Sequence, residues 1–203
     1  MIKLYDFPLS GHSHRVRLML SLLGLEYELI HVKLDEAEHL EKPFTDLNQF
    51  QQVPVLDDNG FIIRDSVAIL CYLASKYDDK WSPTDAQSIA RIQEWLVIAS
   101  KEISTGPASA RLVNVFGAQL DHENAISLSH KLLTIMDGHL ADRKWLALDN
   151  VSIADIAAYS YIAHAPEGGV DLSSYTNVNK WLERIEALPD FIPMNKTLVG
   201  LAA

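Results

Sequence analysis

Apolar and polar positions change period along this chain, and the change divides it in two. Residues 2–6 (Ile-Lys-Leu-Tyr-Asp) alternate, as a strand with one buried face does. Pro8, Ser10 and Gly11 then mark a loop. From about Ser13 to Leu23 the spacing is helical, carried by Val16, Leu18, Met19, Leu20, Leu22 and Leu23. Gly24 supplies the stop, because glycine accepts the left-handed conformation that ends helices. Tyr27 to Leu34 alternates again. A strand, a short crossover helix and a strand predict a parallel pair with a right-handed connection. An irregular helix containing Pro43 is expected over Glu38–Leu47.

The next segment carries a sharper signal. Val53-Pro54-Val55-Leu56-Asp57-Asp58 and Phe61-Ile62-Ile63-Arg64 flank Asn59-Gly60. A type I′ turn needs positive φ at both central residues, and Asn-Gly supplies them, so a hairpin is predicted. A helix follows to about Tyr77, capped by Asp65 or Ser66. Residues 1–77 thus read βαβ then ββα, one mixed sheet covered by helices. Residues 78–85, with Asp78-Asp79-Lys80 and Ser82-Pro83, form a polar linker. From 86 to 203 the period stays helical. One helix runs from Asp85 toward Thr105, with Ile89, Ile92, Leu96, Ala99 and Ile103 on one stripe, and meets a break or kink at Gly106-Pro107. Others span about Glu123–Ala141, begin at Ser152, and cover about Val178–Leu188 before Pro189. The predicted class is an α/β domain followed by an all-α domain.

Composition narrows the function. The chain has 203 residues, 48 % hydrophobic, enough for a substantial core. Its formal charge of −10 opposes phosphate backbones and anionic lipid surfaces, so neither nucleic acid nor membrane is an expected partner. No apolar stretch is long enough to span a bilayer, and Met1–Asp6 lacks the apolar region of a signal peptide. The single cysteine, Cys71, excludes an intrachain disulfide and fits a reducing, cytoplasmic compartment. Set within Ala68-Ile69-Leu70-Cys71-Tyr72-Leu73, it reads as a buried apolar residue.

Three places could carry chemistry. Val53-Pro54 is an edge-strand proline or, alternatively, a cis peptide that turns the Val53 backbone toward a peptide-like ligand. Asp65-Ser66 is a plain helix cap or, with the same geometry, a receptor for an α-amino acid. In that reading the helix N-terminus takes the carboxylate and Asp65 the ammonium. The loop Phe7–His14 follows the first strand, where open α/β sheets place ligand-facing loops. Ser13 reads as the cap of the first helix, which leaves Ser10 without a structural assignment. His12 and His14 have no neighbouring Cys or carboxylate, so no metal is expected. P-loop, GxGxxG, GxSxG and HExxH patterns are all absent.

Together these segments resemble the cytosolic glutathione S-transferase superfamily. The likeness rests on Leu4-Tyr5-Asp6-Phe7-Pro8-Leu9-Ser10, Val53-Pro54-Val55-Leu56, Arg64-Asp65-Ser66-Val67-Ala68-Ile69, Ser152-Ile153-Ala154-Asp155 and Trp181–Ile185. It spans nearly the whole chain, and the loop is similar to the serine-type, phi/theta-like classes. The resemblance implies a thioredoxin-like N-terminal domain and glutathione as co-substrate. Ser10 would donate to the sulfur. Val53 would pair through its backbone beside a cis Pro54, while Asp65 and Ser66 would hold the γ-glutamyl end. His39 would approach the glycyl carboxylate, and Gln52 would add a polar contact. A small hydrophobic electrophile would lie near Leu9, His12 and Trp95, and the family implies a homodimer. One departure is Leu40, which replaces a lysine that often follows the histidine; Lys42 is the nearest substitute cation. The activity implied is transfer of glutathione to electrophiles, as in detoxification. The alternatives are glutathione-dependent peroxide or disulfide reduction, and a non-catalytic glutathione-binding regulator.

Overall fold

The computed structural model describes residues 1–203. The alternating segments form a four-stranded sheet of β1 (Ile2–Asp6), β2 (Tyr27–His31), β3 (Val55–Asp58) and β4 (Phe61–Arg64), in the order β2-β1-β3-β4. β1 and β2 run parallel, with Leu4 opposite Leu29. β1 pairs antiparallel with β3, and β3 with β4. Asn59 and Gly60 have φ of 54° and 94°, the signs a type I′ turn demands. The helices of this half are α1 (Gly11–Leu22), a single turn α2 (Phe44–Leu47) and α3 (Ser66–Tyr77). The rest is helical: α4 (Ala86–Ser100), α5 (Ser109–Phe116), α6 (His122–His139), α7 (Ile153–Ala163) and α8 (Thr176–Glu186).

Some boundaries depart from the expectations. β2 stops at His31 because its partner β1 ends at Asp6, and the ladder closes with Val32 N–H donating to the Asp6 carbonyl. The helix expected over 38–47 splits into a 3₁₀ turn (Glu38–Leu40) and α2, with Pro43 between them. Proline lacks the N–H and disfavours helical geometry in the residue before it. α4 ends at Ser100, and a π-helical turn over Ser104–Ala108 takes up Pro107 before α5 resumes. The first helix begins at Gly11, so its cap is Ser10 and not Ser13. The Ser10 hydroxyl oxygen accepts the Ser13 N–H at 3.2 Å, and Ser13 lies inside the helix, fully buried. Residues 11–13 carry no apolar periodicity, which is why the spacing hid the first turn.

α7 is buried on every side from Ile153 to Ile162, as an all-round apolar helix must be. Ser152 and Asp155 form its capping box. Asp155 also accepts the Leu146 N–H and the Trp181 indole, each at 2.9 Å. α1, α3 and α4 all pack on α7. One continuous apolar cluster therefore joins Leu4, Leu18 and Leu70 of the first half to Leu96, Ile156 and Trp181 of the second. No helix is long and apolar enough to cross a membrane.

Candidate active site

The sheet carries its open loops to one end. There the 48–54 loop, the start of α1 and the start of α3 enclose a cavity of about 370 Å³. His12, Asn48, Phe50, Gln52, Val53, Pro54, Arg64, Asp65 and Ser66 line it. Asn48 builds the 48–54 wall: its amide donates to the Gln52 carbonyl at 2.7 Å and its oxygen accepts the Phe50 N–H at 3.0 Å. The Val53–Pro54 peptide is cis. Neither the N–H nor the C=O of Val53 has a partner within the chain, so both can serve a ligand.

Across the cavity, Asp65 caps α3. Its Oδ1 accepts the Val67 and Ala68 N–H groups at 2.8 and 3.1 Å. Its backbone sits at φ 72°, ψ 125°, a region that side chains other than glycine enter at a cost of roughly 1–3 kcal/mol. The cap bonds hold it there and set Ser66 at the first helical position. Ser66 is buried, and its hydroxyl lies 3.2 Å from an Arg15 amine and 3.3 Å from His12 Nδ1.

Ser10 stands two residues before His12, at the mouth of α1. Its oxygen is occupied by the Ser13 N–H, which leaves the hydroxyl proton free to donate. The loop is fixed from the helical half, where Arg111 donates to the Leu9 carbonyl at 2.9 Å and pairs with Glu167 at 2.6 Å. Phe7 and Phe116 meet beside it, with centroids 6.2 Å apart. Tyr161 of α7 covers Gly11 so closely that a Cβ there would sit 2.7 Å from the ring. Ser13 lies beside Asp6 instead, and its hydroxyl favours the carboxylate there. Burial nonetheless raises the Asp6 pKa, against the opposing pull of Arg17 and Ser13.

The other sequence candidates lie elsewhere. His39 is half-buried on the 3₁₀ turn, its Nδ1 without a partner, and does not line the cavity. Leu40 is exposed, and Lys42 pairs with Asp46. His12 belongs to the wall shared with Asp65 and Ser66; burial, then the Arg15 charge, lowers its pKa to about 3, so it is neutral. Trp95 is buried on α4, 5.0 Å from the His139 ring, away from the cavity. Arg15, Arg111, Asn48 and Tyr161 were not among the candidates. No local signal marked Arg15, because α1 also carries His12, Ser13, His14 and Arg17. No cluster of three or more His, Cys, Asp or Glu side chains with metal-binding geometry occurs.

Known proteins resemble this chain in both halves. Residues 1–75 match the family model "Glutathione S-transferase, N-terminal domain", and residues 108–189 match "Glutathione S-transferase, C-terminal domain". The chain is 31 % identical over 198 residues to glutathione S-transferase theta-2 of Rattus norvegicus, covering 92 % of this chain and 81 % of the relative. It is 32 % identical over 206 residues to glutathione S-transferase 3 of Zea mays, covering 94 % and 91 %. A glutathione S-transferase structure from Pseudomonas fluorescens superposes with a TM-score of 0.90 at 28 % identity, over 96 % of this chain and 99 % of that one. Both halves of the molecule, in the same order and over nearly their full length, place this chain in the glutathione S-transferase family.

Proposed function

We propose that this protein transfers glutathione to small hydrophobic electrophiles, with Ser10 activating the thiol. The carrying observation is the division of labour in the Ser10 hydroxyl: its oxygen is held by the helix and its proton is free. In this reading the γ-glutamyl ammonium meets Asp65 and its carboxylate meets Ser66 and the α3 N-terminus. The cysteinyl unit pairs with the Val53 backbone beside Pro54, and Gln52 adds a polar contact. That directs the sulfur toward Ser10. His39 approaches the glycyl end only by reaching from outside the cavity wall.

The thiolate is the nucleophile, and a free thiol has a pKa of about 8.5. A hydroxyl donor and the N-terminus of α1 both favour the charged form. Lowering that pKa by about two units corresponds to about 2.7 kcal/mol of differential stabilisation. The electrophile enters beside Phe7 and Phe116, whose rings meet next to the Ser10 loop. Thiol–disulfide chemistry by the protein itself is not favoured, because Cys71 is half-buried and burial raises its pKa. A cytoplasmic homodimer serving detoxification completes the reading. The exposed apolar side chains Phe50, Phe61, Ile89 and Val97 support the dimer, which sedimentation would test.

The decisive experiment is turnover by Ser10→Ala across a panel of electrophiles. A fall of roughly 100-fold is expected, the size of a lost transition-state donor, with little change in glutathione affinity. Unchanged turnover would remove Ser10 from the chemistry.

A further inference from the structure

Tyr72, Tyr77 and Tyr159 each give their phenol proton to a carboxylate, that of Asp58 or Glu186. Tyr161 of α7 is only 5 % exposed, yet it donates to no group in the chain. A buried phenol ordinarily has a partner. Its hydroxyl oxygen is not fully enclosed. The tip of its ring lies against Gly11, the neighbour of Ser10: a Cβ placed on Gly11 would meet Cζ, Cε1 and Cε2 at 2.7, 2.8 and 2.9 Å. The N–H groups of Gly11 and His12 head α1 without an acceptor in the chain, and both face the phenol oxygen. The His12 ring meets the Tyr161 ring edge-on at 5.0 Å. Two buried cations also act on Tyr161. Arg15, 5.6 Å from the ring, has no carboxylate within ion-pair distance, and its Nε and Nη2 are buried without partners. Arg111 pairs with Glu167 but leaves its Nη2 buried and unpartnered.

Donors and positive charge thus gather at the head of α1 in excess of acceptors. Such a group is costly to bury until an anion completes it. The anion formed in the proposed reaction is a thiolate, and it forms at Ser10, next to Gly11. We propose that the Tyr161 hydroxyl is a second donor to the glutathione sulfur, acting beside Ser10 from the helical half. The proposal rests on the glutathione reading above and deepens it. Burial raises the Tyr161 pKa against the pull of Arg15, Arg111 and the two N–H groups, so the phenol keeps its proton at neutral pH. His12 is neutral and adds no charge. The thiol proton therefore leaves to solvent, and the phenol lends a hydrogen bond without ionising. Glycine at position 11 belongs to the same device, because a side chain there would push the hydroxyl away.

The test is Tyr161→Phe, which keeps the ring against Gly11 and removes only the hydroxyl. The readout is the ionisation of bound glutathione, followed on the full chain by thiolate absorbance against pH. The affinity of S-methylglutathione, measured by calorimetry, is the control. The bound thiol should titrate about one to two pH units higher than in the wild type, the range of one hydrogen bond to a charged group. Turnover should fall about tenfold or more below the wild-type thiol pKa and recover as pH rises through the variant's higher one. S-methylglutathione has no thiol proton to lose and should bind as before. The double variant with Ser10→Ala should raise the thiol further than Ser10→Ala alone. An unmoved thiol titration in Tyr161→Phe, or equal weakening of both ligands, overturns the proposal and leaves the glutathione reading intact. A turnover loss that is the same at every pH does so too, because it marks Tyr161 as a packing residue. A wild type that does not bind S-methylglutathione, or whose bound thiol titrates at about 8.5 as a free thiol does, overturns the reading with Ser10 and this proposal with it.

Discussion

At Ser10 the oxygen is committed to the Ser13 N–H while the proton is free, so capping and the proposed thiol activation are separable by substitution. Ser10→Ala removes both and should cost about 1 kcal/mol of stability as well as turnover. Ser10→Asp keeps a good cap but has no proton to donate and repels a thiolate. It should melt near the wild-type temperature yet turn over as slowly as the alanine variant; a thermal scan and a steady-state assay of both proteins check this. Asp65 poses the same question. Asparagine tolerates positive φ and still caps α3, so Asp65→Asn should leave the melting temperature nearly unchanged. In the proposed binding mode, loss of the charge opposite the γ-glutamyl ammonium should raise the KM for glutathione about tenfold, the worth of roughly 1.4 kcal/mol. Equal KM values would detach Asp65 from the ligand. Asp65 was legible as a cap because it follows a hairpin, whereas the role proposed for Ser10 came only from the resemblance. Their assignment was not wholly legible, since the caps of α1 were exchanged between Ser10 and Ser13.

The helices are positioned by a few buried polar side chains, and His14 is the clearest case for α1. Its Nε2 donates to the Ile192 carbonyl at 2.9 Å, and its Nδ1 accepts the Ser160 hydroxyl at 2.8 Å. One imidazole thus ties α1 to α7 and to the C-terminal segment. Burial lowers its pKa to about 4, and that of His12 to about 3. In the unfolded chain both return to about 6.5. Between these values the unfolded state binds more protons, so stability is full above about pH 6.5 and falls as pH drops toward 4. His14→Gln should flatten that fall, as urea denaturation at pH 7.5, 6, 5 and about 4 would show. Comparison with the wild type separates the imidazole from Asp6 and Asp155, whose raised carboxyls act in the opposite sense. An identical slope in both proteins would remove His14 as the cause. At this scale periodicity located nearly every element. It missed where strands lose a partner and where Pro43 and Pro107 redirect the chain, because those ends depend on neighbours or on one absent N–H.

Across the whole molecule, the two halves share one apolar cluster and are locked by contacts made far apart in the chain. Arg111 is the strongest lock, reaching Leu9 from α5 while buried against Glu167, which also holds His164 at 2.7 Å and the Thr197 N–H at 3.0 Å. Burial opposes ionisation of Glu167, but the Thr197, His164 and Arg111 contacts outweigh it and lower its pKa. Arg111→Met leaves that carboxylate without its cation, so about 3–5 kcal/mol of stability should be lost. Turnover should also fall, because the Leu9 carbonyl loses the donor that fixes the Ser10 loop. Calorimetry should show one unfolding transition in the wild type, and unaltered melting of the variant would refute the lock. None of this was legible beforehand: Arg111, Leu9 and Glu167 are separated by 102 and 56 residues, and nothing local marks their meeting.

What the sequence determined by itself was whatever follows from neighbours along the chain. Periods of two and 3.6 set the α/β half and the helical half, Asn59-Gly60 set the hairpin, and Asp65-Ser66 set the start of α3. The tertiary structure alone decided which serine caps α1, where His12 and Trp95 belong, and that Arg15 lies buried without a counter-charge. Those outcomes depend on burial and on partners brought together from distant segments. A buried charge or a free hydroxyl proton is defined by its surroundings, and the order of residues does not state them.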